Sequence, residues 1–167
     1  NSSLTFLYGE SGSGKSTLLK LGLARELARS GTWIPIYVDI WGQDWVRGPQ
    51  KSLADATELA IRSLGLKDGP PVTADTVFSC LGKLRTTTGR RPILIFDQID
   101  DYQNANRNQF RNASTGAFLN ARELGEANSF WAGIASLLAV PDDPIHVLLA
   151  TRDDAISGLH CFQFEQP

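Results

Sequence analysis

One stretch constrains this chain more than any other. Leu4-Thr5-Phe6-Leu7-Tyr8 is an apolar run, Gly9-Glu10-Ser11-Gly12-Ser13-Gly14 a glycine-rich turn, and Lys15-Ser16-Thr17 opens a helical pattern. The spacing Gly9-x4-Gly14-Lys15-Ser16 is that of a phosphate-binding loop. Glycine admits positive φ and leaves no Cβ between backbone and ligand. Successive N–H groups turned inward make an anion nest, and the following helix adds the positive end of its dipole. The pattern assigns Lys15 to the β- and γ-phosphates and the Ser16 hydroxyl to Mg²⁺. Gly9, Glu10, Ser11, Gly12, Ser13, Gly14 and Thr17 complete the expected nucleotide cradle. Average composition produces this spacing roughly once in 3×10⁴ positions, so a chance match is set aside.

The 167 residues suffice for one domain with a core, and the net charge of −2 lends no support to a nucleic-acid surface. The longest apolar runs are far short of a membrane span, and no signal peptide is visible, so a cytoplasmic location is expected. Cys80 and Cys161 lie far apart; Cys80 falls in a predicted helix, which favours a buried reduced thiol over a disulfide or metal ligand. Methionine is absent even at position 1, and the first strand begins almost at once. A piece of a longer polypeptide is expected, here a single domain over residues 1–167.

Hydrophobic periodicity gives the order of elements. A helix is predicted over 15–29, with Leu18, Leu19, Leu21, Leu23, Ala24 and Leu27 wedged against a sheet and Gly22 in close approach to another element. A strand is predicted over 32–40, at a sheet edge because Pro35 cannot donate to a ladder. The loop 41–49 holds Trp41 and Trp45, which are expected to pack over the sheet edge, with a neighbouring domain or nucleotide as the alternatives. A capping box at Ser52-Leu53-Ala54-Asp55 is expected to open a helix to about Leu64, a turn-rich connection 65–72 follows, and a second helix spans 74–85. Pro92-Ile93-Leu94-Ile95-Phe96-Asp97 reads as a central parallel strand buried on both faces. The asparagine-rich segment 101–115 reads as a mobile loop. A helical pattern over 117–139, interrupted near Gly125, and a turn at 141–144 lead to a buried strand at 145–151. Asp154 is expected to cap a short helix to about Leu159, and Cys161-Phe162-Gln163-Phe164-Glu165 to form a fifth strand. Such alternation implies a parallel sheet with helices on both faces.

A phosphate loop alone does not hydrolyse nucleotide. An acid ending a buried strand beside the loop strand can hold Mg²⁺ through water, and Asp97 is that residue; a strand-ending turn aspartate is the structural alternative. Attack by water needs a group that orients or deprotonates it. Gln98, next in sequence, can orient water but cannot take its proton. Asp100 and Asp101 are candidates for that step, with simple surface solvation as the alternative. Arg152 ends the last buried strand, where ligands sit in open α/β folds, and would face the γ-phosphate; a capping or ion-paired arginine is the alternative. His146 and His160 read as packed or surface histidines.

Three segments carry a resemblance. The first, 8–19, looks like the start of a STAND NTPase, the signal-transduction branch of the AAA+-related ATPases. Leu94-Ile95-Phe96-Asp97-Gln98-Ile99-Asp100-Asp101-Tyr102 resembles the Asp-Gln-Phe-Glu-Glu motif of the bacterial novel STAND group, with an Asp pair in place of the Glu pair and so a shorter reach. Leu148-Leu149-Ala150-Thr151-Arg152-Asp153-Asp154-Ala155, followed by Leu159 and Phe162, is similar to the group's Arg-Glu-Asp segment. The resemblance implies an α/β P-loop NTPase three-layer sandwich of the additional-strand type. Its mostly parallel sheet would have four to five strands in the order 5-1-4-3-2. It also implies ATP and ADP as ligands with Mg²⁺, slow hydrolysis, and a switch in which ADP holds a closed monomer while ATP favours self-association of the full-length protein. The lid, winged-helix and effector or sensor regions of such proteins are absent from this sequence. Some relatives act in antiviral defence. A AAA+-like motor acting on nucleic acid and a nucleotide-binding scaffold that no longer hydrolyses are the competing readings. No Asn-Lys-x-Asp motif for guanine is found, so ATP is the default nucleotide.

Overall fold

Strand formation follows the apolar runs closely. In the computed structural model, which describes residues 3–39, 48–65, 71–141 and 144–163, four runs become strands. These are β1 (Leu4–Gly9), β2 (Trp33–Val38), β3 (Arg91–Phe96) and β4 (His146–Arg152). They form one sheet in the order β1-β4-β3-β2, and all three pairings are parallel. The order agrees with the expected one for the four strands present. Pro35 lies in an edge strand, where its missing N–H removes no ladder bond.

Because side chains alternate across a strand, each strand feeds two cores. Ile34, Ile36, Val38, Leu94, Phe96, Val147 and Leu149 point to the larger one, while Ile95, Leu148 and Ala150 point to the smaller with Leu19. Helical segments therefore cover both faces, a three-layer arrangement.

The first helical stretch covers the smaller core and is not uniform. It runs as α1 (Lys15–Thr17), a π-helical turn (Leu18–Leu23) and α2 (Ala24–Arg29). The wider turn rotates the leucines off a single buried face. Leu19 is buried, but Leu18 and Leu21 are 60% and 63% exposed, contrary to the expected apolar wedge. Gly22 makes no close approach to another element either. A Cβ there would meet only Leu18 Cδ1 of its own helix, at 3.5 Å.

On the larger-core side, α3 (Gly48–Ser63) starts four residues before the expected capping box, so Ser52 lies inside the helix. Pro49 is tolerated in a first turn, where its absent N–H has no intrahelical partner. Next comes α4 (Val77–Thr88), which starts later than Ala74 and ends three residues past Arg85, at Gly89 with φ 71°. The expected mobile loop after β3 is instead two helices, α5 (Ile99–Ala105) and α6 (Arg107–Phe110). Ile99, Tyr102 and Phe110 are buried, and this tertiary anchoring overrides the poor helix propensity of the asparagines. The long helix expected over 117–139 is likewise two, α7 (Ala121–Ala127) and α8 (Ser129–Leu138). The break falls at Asn128 rather than Gly125, because Asn128 Oδ1 caps α8 by accepting from Phe130 N–H at 3.0 Å. After β4 the chain forms a 3₁₀ helix, Asp153–Phe162. It consumes Cys161 and Phe162, so the expected fifth strand does not begin there; Phe162 is buried, 4.6 Å from Trp131 ring to ring. Phe164 and Glu165 lie outside the described residues, as do Trp41, Trp45, residues 66–70 of the first expected turn and residues 142–143 of the second.

Candidate functional site

The carboxyl ends of β1, β3 and β4 meet at one end of the sheet. β1 stops at Gly9, where the chain turns through residues 10–14 into α1. Gly12 and Gly14 take φ of 76° and 84°, values that only glycine adopts readily. Lys15 folds back over this turn. Its Nζ donates to Gly9 O at 2.6 Å and Glu10 O at 2.7 Å, and lies 3.4 Å from Ser13 Oγ. The ammonium thus rests at the mouth of the turn, held by neutral carbonyl partners.

A cavity of about 400 Å³ opens at this point. Ser11, Gly12, Ser13, Gly14, Lys15, Ser16 and Thr17 form one wall; Asp97, Gln98, Asp100, Asp101, Ala150, Thr151 and Arg152 form the other. Of the candidate residues, only Gly9 and Glu10 are outside the lining, and both contribute the carbonyls that hold Lys15. The candidates from three separate stretches therefore share one space.

Asp97 follows β3 and is 2% exposed. Its Oδ1 accepts the N–H of Gln98 at 2.9 Å and its Oδ2 accepts the Tyr37 hydroxyl at 2.5 Å. Burial, the hydrogen bond to Asp97 and the Asp97 charge all push the Tyr37 phenol well above its ordinary range, so it remains a donor. Gln98 is exposed and sits at φ 56°, in the left-handed region, at the start of α5. That kink turns Asp100 inward: it is 3% exposed. Its Oδ1 accepts from Thr151 Oγ1 at 3.2 Å, and its Oδ2 lies 2.7 Å from Arg152 Nε. Asp101, one residue on, is exposed at the cavity. Arg152 lines the cavity and is ion-paired, as its structural alternative held; a second carboxylate, Asp154, lies 3.6 Å from its Nε.

Two contributors were not among the residues expected from sequence. Thr151 stood inside a recognised segment, but nothing marked its hydroxyl as the partner of Asp100. Tyr37 carried no signal beyond alternation, which places it on the opposite face from Ile36. Elsewhere, His146 stacks edge-on with Trp33 at 5.1 Å, at the far end of the sheet, and His160 is exposed on the 3₁₀ helix. Cys161 is buried and Cys80 half-buried in α4, both as free thiols.

Ser16 Oγ and the Asp97 carboxylate supply the hard oxygen donors that suit Mg²⁺, which commonly takes one or two protein ligands beside phosphate and water. Among the described residues no group of three or more His, Cys, Asp or Glu side chains could hold a metal. A cation between Ser16 and Asp97 would therefore need the nucleotide's oxygens as well. No described helix is long and apolar enough to cross a membrane.

A four-stranded parallel sheet ordered β1-β4-β3-β2, with a glycine turn after β1 and helices on both faces, defines an α/β sandwich of the P-loop NTPase class. Among solved structures it is similar to the ADP form of the ORC2 protein of Aeropyrum pernix, with a TM-score of 0.54 and 18% identity over 95% of this chain. At that identity the likeness is one of fold, and it spans 38% of the ORC2 chain. The family model for Novel STAND NTPase 1 matches residues 1–166, and the chain belongs to that family. It is accordingly a nucleotide-binding NTPase domain. No curated protein sequence matches it significantly.

Proposed function

We propose that this chain is the ATP-binding, Mg²⁺-dependent and slowly hydrolysing domain of a regulatory NTPase. Its nucleotide state would gate self-association of the full-length protein, as in a signalling switch, with bacterial defence as one setting. The observation that carries this reading is the single cavity shared by residues 11–17, Asp97, Asp100 and Arg152. In this reading Lys15 exchanges its loop carbonyls for the β- and γ-phosphates. The backbone of residues 9–14 cradles the phosphates, Ser16 and Asp97 hold Mg²⁺, and Thr17 extends the cradle into the helix. Gln98 orients water, Asp100 or Asp101 accepts its proton, and Arg152 senses the γ-phosphate. The similar ORC2 fold is an ADP form, which supports adenine nucleotides as the ligand class. The net charge of −2 favours no nucleic-acid partner.

One observation favours a second reading, a nucleotide-binding scaffold without turnover. Asp100 is already engaged by Thr151 and Arg152, and Gln98 cannot accept a proton. ATP binding, turnover and particle size, measured on the full-length protein beside Lys15→Ala and Asp97→Ala, separate these. Lys15→Ala should weaken ATP by about 10- to 100-fold, the loss expected for charged hydrogen bonds. Asp97→Ala should bind nucleotide without Mg²⁺ as before but lose turnover. ATP-dependent assembly with slow turnover supports the switch; binding with no turnover in the wild type supports the scaffold. ATP binding that ignores Lys15→Ala overturns both.

A further inference from the structure

Tyr37 is placed in a way that the proposed chemistry does not use. It lies on the edge strand β2, paired in register with Ile95 of β3, two residues before Asp97. Its hydroxyl reaches across to Asp97 Oδ2 at 2.5 Å. Lys20 Nζ sits over the ring, 5.3 Å from its centroid, and 2.8 Å from Asp39 Oδ2. Lys20 belongs to the π-helical turn that directly follows the phosphate-loop residues. The phenol is thus fixed by strand register and by a cation over its face, and it bonds one oxygen of a carboxylate that is almost fully buried.

We infer that Tyr37 is a positioning residue for Asp97, holding its carboxylate in the orientation that a nucleotide-bound divalent cation requires. The inference rests on the proposed role of Asp97. A carboxylate can rotate about its Cβ–Cγ bond. A donor on Oδ2 restricts that freedom while Gln98 N–H fixes Oδ1. Outer partners of metal-associated carboxylates commonly change metal affinity by about 10- to 100-fold when removed. Phenylalanine at 37 would keep the ring under Lys20 and delete only the hydroxyl.

The test reads metal dependence rather than turnover. Binding of a fluorescent ATP analogue by the intact protein is titrated with Mg²⁺, and thermal melts are recorded in parallel. Four proteins are compared: wild type, Tyr37→Phe, Asp97→Asn and the double variant. The inference expects Tyr37→Phe to raise the Mg²⁺ needed for half-maximal effect about tenfold, with nucleotide affinity in chelator unchanged. In the Asp97→Asn background the same substitution should have no further effect, because the two act as one unit. No shift, a shift toward lower Mg²⁺, or an equal shift in both backgrounds overturns it. If the wild type shows no Mg²⁺ dependence at all, the proposed role of Asp97 fails first, and the outcomes remain distinct. Loss of folding by Tyr37→Phe, seen in the melt, would assign the hydroxyl to stability and also overturn the inference.

Discussion

Gln98 is the one non-glycine among the described residues with positive φ, and it stands between two buried carboxylates. A left-handed conformation costs an L-residue about 1–2 kcal/mol. Here it lets the Gln98 N–H close on Asp97 Oδ1 and sets the direction of α5, so that Asp100 enters the cavity. Gln98→Val should therefore lower stability by about 1–2 kcal/mol, because branching at Cβ makes that conformation a true outlier. Gln98→Gly should stay within about 1 kcal/mol, relief of strain being offset by greater freedom in the unfolded chain. Urea midpoints at constant m-value would show both. Cys161 offers a test of burial at the same scale. Desolvation pushes its thiol up to about 12 from 9.0, against the lowering influence of the Gln103 hydrogen bond. Above pH 9 an unfolded thiol loses its proton while the native one keeps it. The unfolded state then binds fewer protons, and stability falls as pH rises. The slope for one such group is on the order of 1 kcal/mol per pH unit. Half-buried Cys80, raised chiefly by desolvation, adds in the same direction. Tyr37 and Tyr102, whose phenols burial also raises, add to the fall as unfolded tyrosine begins to ionise, so the test is a difference: between pH 9 and 10 the stability of Cys161→Ala should fall less steeply with pH than that of the wild type.

At the level of elements, close helix packing is decided by small residues at particular crossings. A Cβ on Gly133 of α8 would meet the Phe78 ring of α4 at 2.6 Å. Gly133→Ala gains about 1 kcal/mol in helix propensity, but overpacking costs typically about 1–3 kcal/mol, so a net loss of stability is expected. Adding Phe78→Leu, which removes the obstructing ring, should make the pair less destabilised than the sum of the two single changes, as a double-mutant cycle in urea would read. Sequence reasoning captured those elements whose signals are local. The glycine turn after β1 is legible because a positive-φ turn needs glycines at fixed positions, and the four strands because short apolar runs bounded by turn residues have few other uses. Helices α5 and α6 were not legible. Their polar residues have weak propensity, and what orders them is burial of Ile99, Tyr102 and Phe110, the two rings packing on Trp131 and Phe162, far away in sequence. The fracture at Asn128 was hidden for a related reason, since periodicity continues across it and only a side-chain cap reveals it. Within the site, the gathering of Asp97, Asp100 and Arg152 could be read from strand ends. The Tyr37 and Thr151 hydroxyls could not, because alternation states which face a residue takes, not whose carboxylate it reaches.

Across the whole molecule, the two cores have different characters. The larger one is dense in aromatic rings: Trp131 lies within 6.4 Å, centroid to centroid, of Phe96, Tyr102, Phe110, Phe130 and Phe162. It ties β3, α5, α6, α8 and the 3₁₀ helix together. The smaller core is aliphatic and rests on the first helical stretch. Between them the sheet is closed by its most distant pairing, in which Leu4 of β1 meets Val147 of β4 and Gly9 meets Arg152. Closing a loop that long carries an entropic cost before any contact rewards it, and such pairings slow folding. Strands β2, β3 and β4 can assemble around the aromatic core while β1 is still outside. The glycine turn is attached to β1, so the cavity is complete only once β1 pairs with β4 at the edge of the sheet. In a refolding reaction, or as a chain emerges from the ribosome with its first strand waiting for its last, competence to hold nucleotide would then be a late event and would mark completed assembly.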